Sequence, residues 1–206
     1  AWHTVARALG GAVMRVGLVV ALVAALGGCS TGSEQAGDVT PVSASPGRTV
    51  SSDRAVGDPI PSVRNPKNLT AIQPCLLLTA GQLEAHRIDQ PGQPKDLLGN
   101  TGCIWRDKAR TREFAMFVDI GDDVLRNVYN QRETIPVFEV TQVAGLPAIR
   151  TKDDVDGTSC YFRVAAAEVQ TLIVRFSALR PDRADPCGPA KTFAEALIGN
   201  LPPLQG

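Results

Sequence analysis

Hydrophobic and polar positions divide the chain into three stretches. Residues 16–26, Val-Gly-Leu-Val-Val-Ala-Leu-Val-Ala-Ala-Leu, form an uncharged apolar run directly after Arg15. Residues 30–68 are rich in Ser, Thr, Gly, Pro, Asp and Ala and lack aromatic residues. From Pro74 to Pro203 apolar positions recur with regular periods, as expected of a folded domain.

Within that last stretch, Thr79 and Gln82 are spaced as a capping box, which predicts a short helix over residues 80–87 with Leu83 inward. Gln90-Pro-Gly-Gln-Pro94 then predicts a loop. Cys103–Arg106 reads as a strand. Glu113–Ile120 reads as a second, with Phe114, Met116, Val118 and Ile120 on one face. Asp122 or Asp123 caps a helix to about Arg132, with Val124, Leu125 and Val128 on one side. An extended segment starts at Pro136, breaks at Gly145-Leu-Pro147 and resumes at Ala148-Ile149. Residues 152–158 read as an acidic turn, followed by strands over 159–165 and 169–176. Leu172-Ile-Val174 is apolar on both faces, which points to a central strand. Asp185-Pro186 opens a last helix carrying Ala190, Phe193, Ala194, Leu197 and Leu201. Hairpins dominate and no βαβ unit is visible. The expected class is α+β: an antiparallel sheet with helices packed on it.

Composition adds a compartment. The apolar run spans about 16 Å as a helix, half the ~30 Å hydrocarbon core, and so suits a signal-peptide h-region better than a membrane span. Leu26-Gly27-Gly28-Cys29 follows it and resembles the bacterial lipobox, in which the cysteine thiol receives a diacylglyceryl group. Two acyl chains make such anchoring stable. Residues 1–28 are therefore expected to be a cleaved signal peptide, with residues 1–13 an extension upstream of a compact start at Met14-Arg15. Residues 29–68 are expected to be a lipidated N-terminus and disordered tether, reaching about 35 Å root-mean-square. Residues 69–206 are the expected domain. Removing Arg7 and Arg15 from the 21 bases leaves 19 against 21 acids, a net of −2. That balance offers no pull toward nucleic acid.

The four cysteines beyond Cys29 are Cys75, Cys103, Cys160 and Cys187. An even count in an exported domain implies two disulfides, with three pairings open. The favoured pairing is Cys75–Cys103 with Cys160–Cys187, each tying a helix start to a strand. A four-cysteine metal site would want close pairs such as C-x-x-C, which are absent. No metal and no cofactor are expected.

Pro74-Cys75-Leu-Leu-Leu-Thr79-Ala-Gly-Gln-Leu83, Cys103-Ile-Trp105, Gly145-Leu-Pro147-Ala148, the strand cysteine Cys160, Asp185-Pro-Cys187 and Leu201-Pro202 together resemble an actinobacterial lipoprotein family, mycobacterial members included. Its shared four-cysteine domain has no assigned function. The resemblance covers roughly residues 70–203 and the lipobox. It implies location and architecture, and no reaction.

Candidate chemistry is sparse. After the signal peptide only His86 is left among histidines, placed at the exposed end of a short helix, so a Ser-His-Asp or Cys-His site lacks support. Lys152-Asp153-Asp154-Val155-Asp156-Gly157 hints at a calcium loop, but Lys152 and Arg163 occupy liganding positions, so it reads as a solvated turn. Arg106, Lys108, Arg110 and Arg112, with Trp105 beside them, are candidates for docking an anionic ligand at a hairpin tip. The simpler reading is an edge kept soluble by charge. Glu113, Asp119 and Asp122 are candidate carboxylates for hydrolysis.

The expected function is therefore a noncatalytic binding or accessory module, lipid-anchored on the extracytoplasmic face of the cell membrane. An envelope protein, a lipid or a wall component is its expected ligand. The alternatives are a carboxylate-dependent envelope hydrolase and an extracytoplasmic sensor acting through a membrane partner.

Overall fold

Two strand meanders meet in the middle of one antiparallel sheet. The computed structural model describes residues 57–71, 73–180 and 185–205. The apolar run, the lipobox with Cys29 and most of the expected tether lie outside the described residues. The strands are β1 (Gln93–Leu97), β2 (Asn100–Arg106), β3 (Arg112–Ile120), β4 (Val137–Val143), β5 (Leu146–Lys152), β6 (Ser159–Ala167) and β7 (Gln170–Ala178). Their order across the sheet is β1-β2-β3-β7-β6-β5-β4, and every pairing is antiparallel. Strand β7 is the middle one of seven, in keeping with its two-sided apolar Leu172-Ile-Val174. Helices α1 (Ala80–Ala85), α2 (Val124–Asn130) and α3 (Cys187–Asn200) pack around this sheet. The α+β class with its antiparallel sheet is what the periodicity predicts, and the two disulfides are those favoured from the cysteine count and placement.

The main core lies between one sheet face and α1 with α3. Cys103, Trp105, Phe114, Met116, Phe162, Val164, Leu172 and Val174 meet Phe193, Ala194 and Leu197 there. Phe193 stacks on Phe114 at 4.5 Å between centroids and meets the Trp105 ring edge-on at 5.4 Å. Cys75–Cys103 and Cys160–Cys187 are the two bridges. The first ties a 3-10 turn (Pro74–Leu76) to β2, and the second ties the first residue of α3 to β6. Each closes a loop of just under thirty residues, for which chain entropy predicts roughly 3–4 kcal/mol of stabilisation. Helix α1 carries the expected capping box, with the Thr79 hydroxyl accepting from the Gln82 amide. It ends where Arg87 turns left-handed, so that Ile88 N–H and Arg87 N–H donate back to Leu83 and Glu84 carbonyls.

Several expectations change. Residues 93–97 form an edge strand rather than a loop. Pro94 is tolerated because one side of β1 faces no partner strand, and all five residues are exposed. Gly145 is not a long break. Ala144 and Gly145 both have positive φ and make a two-residue hairpin turn, so β5 resumes at Leu146 and includes Pro147. Strand β3 is buried on both faces from Glu113 to Val118, while Ile120 is exposed. Helix α2 stops at Asn130 and a 3-10 turn (Arg132–Thr134) follows.

The expected tether also ends earlier than residue 68. Ile60 is fully buried against Leu125, Ile149 and Ala165. Lys67 N–H donates to the Ala166 carbonyl at 2.7 Å, and Lys67 forms a bridge with Pro203. Composition missed this because a single isoleucine and a few backbone bonds do not shift the average of a polar segment.

Candidate functional site

The strand period of two sends alternate side chains to opposite faces, and only one face is fully covered by helices. On the other face, α2 packs against β5 and β6. Over β2, β3 and β7 the cover comes from long side chains of the sheet itself. Register places Gly102, Phe117, Ile173 and Arg163 in one row across four strands, and Ile104, Ala115, Arg175 and Tyr161 in the next. Gly102 makes the first row possible, since a Cβ there would lie 2.4 Å from the Phe117 ring.

Glu113 is the buried centre of the charge on this face. Arg106 Nε donates to its Oε2 at 2.7 Å, and Arg175 donates to its Oε1. The two guanidinium groups are each about a third exposed, so the trio is rimmed by solvent on the arginine side. Arg175 Nε is buried and has no hydrogen-bond partner. Arg163 differs from its neighbours. Its Nη1 donates to Thr151 Oγ1 at 2.8 Å, and its guanidinium lies 5.5 Å from the Tyr161 ring centroid. No carboxylate among the described residues forms an ion pair with it. Burial pulls its pKa below the usual arginine value, against the opposing pull of the Asp153 charge. Beside these groups runs a groove of about 260 Å³, with Phe117 and Ile173 as floor, Tyr161, Leu97 and Leu98 around it, and Arg163 and Arg175 at one side.

Of the residues proposed for anion docking, Arg106, Lys108 and Arg110 line one depression, whereas Trp105 and Arg112 lie outside it. Trp105 is fully buried on the helix-covered face, because its strand position has the parity of Cys103. Arg106 is committed to Glu113. Lys108 and Arg110 are exposed on the β2–β3 turn, and with Arg106 they line a depression of about 350 Å³. Arg112 lies at the start of β3, with its amide bonded to Asp107. That carboxylate also accepts from the Thr111 amide and hydroxyl, organising the turn. Burial raises the Asp107 pKa, but these bonds and the Arg112 charge outweigh it and leave the group more acidic than usual.

His86 is not at an exposed end. It is half-buried as the C-cap of α1, with its ring edge-on to Phe193 at 5.1 Å and Phe114 at 5.5 Å, and burial lowers its pKa. Glu113 and Asp119 share a face of β3 but lie six residues apart, or about 20 Å, too far to share a glycosidic oxygen. Asp119 instead accepts from Asn100 Nδ2 at 3.0 Å, and Asp122 is exposed. In the 153–158 turn, Asp154 accepts from the Asp156 amide. No group of three or more His, Cys, Asp or Glu among the described residues is placed to hold a metal ion.

Tyr161 and Arg175 were not singled out from the sequence, and Arg163 entered only as a cation that spoils the calcium-loop pattern. Their signal is arginine or tyrosine at every second position of otherwise apolar strands, which reads equally as ordinary surface.

A family model described as a protein of unknown function matches residues 24–200. No curated protein and no solved structure matches the chain.

Proposed function

The chain belongs to that family, DUF3558, and with no activity to inherit from it we propose that the protein is a lipid-anchored, noncatalytic binding module of the cell envelope. The observation that carries this reading is the division of labour among five cysteines. Four are consumed in two bridges that hold the 3-10 turn ahead of α1, and the start of α3, to the sheet. Such bridges persist outside the reducing cytoplasm. Cys29 is the odd one out, and it stands at the end of Leu-Gly-Gly behind an apolar run. The family match starts at residue 24, so the shared region takes in the lipobox as well as the domain. No helix among the described residues is long and apolar enough to cross a membrane.

The binding surface in this reading is the uncovered sheet face. Its acid, Glu113, is neutralised by two arginines, which suits recognition better than acid–base work. The ligand is a component of the envelope, and nucleic acid is not among the candidates.

Two measurements test the reading. Labelled palmitate should enter the protein in its native host and vanish on Cys29→Ser; a label that survives the substitution rejects the anchor. A photo-crosslinking residue at Tyr161 should capture an envelope component that the same residue at Lys191, exposed on α3, does not. Equal capture at both positions rejects the sheet face as the binding surface.

A further inference from the structure

The groove beside Arg163 combines features that a merely structural surface has no reason to keep together. A cation taken largely out of water without a counter-charge is costly, and proteins normally pair such groups. Arg163 has a hydroxyl and an aromatic ring for company and feels the charge of Asp153, but forms no ion pair among the described residues. Arg175, on the neighbouring strand, is paired with Glu113 on one side, keeps about a third of its side chain exposed, and holds its Nε–H buried without an acceptor. Tyr161 sits opposite Arg175 in the register and Ile173 sits opposite Arg163, so the two arginines are diagonal neighbours. Diagonal Cβ atoms lie about 7–8 Å apart, a span across which two guanidinium groups reach one anion.

Apart from Asn100 and the Tyr161 hydroxyl, the rest of the groove is apolar. Phe117 and Ile173 form its floor, and Leu97 and Leu98 stand at its mouth. Leu98 is the least expected of these. It is 97% exposed and has φ of 52°, in the left-handed region where Asn or Gly is the ordinary choice. Both the exposure and the backbone conformation disfavour leucine there, and no contact within the fold offsets them. An apolar side chain held at a groove mouth against both preferences is suited to contact something apolar that arrives from outside.

We infer that this groove binds a single-chain anionic amphiphile, with its carboxylate or phosphate head on Arg163 and Arg175 and its chain running over Phe117 and Ile173 past Leu98. This rests on the reading of the uncovered sheet face as the binding surface. The groove is open past Leu98, so a chain of moderate length such as a decyl group lies along it and a longer one leaves over Leu98. The head pairs with Arg163, which forms no ion pair among the described residues, and with the solvent-facing part of the Arg175 guanidinium. Charge-assisted bonds of this kind make the anion, rather than the chain alone, the basis of selection.

The test uses the lipidated protein in phosphatidylcholine nanodiscs, with radiolabelled decanoate as probe and empty discs as background. Decanoate should be retained saturably, one per protein. Decyl phosphate should compete, while decanol and decyltrimethylammonium should not. Arg163→Gln should weaken retention about tenfold or more. Leu98→Asn, which suits the left-handed turn, should weaken retention while leaving the melting temperature unchanged or higher. Retention no greater than the empty-disc background overturns the proposal. So does competition by decanol equal to that of decyl phosphate, or retention unchanged in both variants. If retention fails while Tyr161 still crosslinks an envelope component, the ligand class is wrong and the binding face stands. If both fail, the reading beneath it falls too.

Discussion

On one face of the sheet Phe114, Phe162 and Val174 are almost inaccessible to water, while the adjacent residues of the same strands send Glu113, Arg163 and Arg175 to the other. The first face is sealed by α1 and α3, stapled by both disulfides and lined with aromatic contacts. The second is covered by α2 only toward β5 and β6, and elsewhere by its own charged side chains. The difference teaches where each property of the molecule resides. Stability is concentrated in the sealed face, where buried apolar area and chain cross-links act together. Recognition is left to the open face, where charge is held in place by the sheet but remains within reach of solvent.

The comparison breaks most directly at Phe193. Phe193→Ala removes the ring that meets Trp105, Phe114 and His86, and should cost about 3–5 kcal/mol in urea unfolding. A loss under about 1 kcal/mol would mean that the sealed face is not where stability resides. Glu113→Gln probes the opposite side. It leaves Arg106 and Arg175 without their shared carboxylate, and because both are partly solvated the cost should be smaller, about 1–3 kcal/mol. If that cost equals the Phe193 effect, the two faces are not energetically distinct.

The smallest effect is one of pH. His86 has its pKa lowered by burial, so the folded state disfavours the imidazolium. Its contribution is fully present above the unfolded value near 6.5 and is lost as pH falls through the lower folded value. Wild-type stability should therefore decline between pH 7 and 5 more steeply than that of His86→Phe. Parallel curves would place the ring in solvent and return His86 to the surface.

Much of this arrangement was legible from local pattern. The Thr79–Gln82 capping box, the last helix with Phe193 and Leu197 inward, and the central place of Leu172–Val174 all follow from spacing that a few neighbouring residues determine. Edge strand β1 was not legible, because five exposed residues that include a proline carry no burial signal. Their strand conformation comes from pairing with β2. Trp105 was misplaced for a related reason. Its neighbours in sequence are charged, yet strand parity sends it to the side of Cys103 and away from Arg106.

The sequence by itself determined which residues alternate, where helices start and which cysteines are available to pair. These are local properties, read over a few residues at a time. Only the tertiary structure decided which sheet face the helices cover and which stays open. That choice depends on the side of the sheet to which the short connections turn α2 and α3, and on a register that sets Gly102, Phe117, Ile173 and Arg163 side by side from four different strands. Arginine at alternate positions is common on any sheet. Two of them become a candidate site only when neighbouring strands bring them diagonally together over an apolar floor.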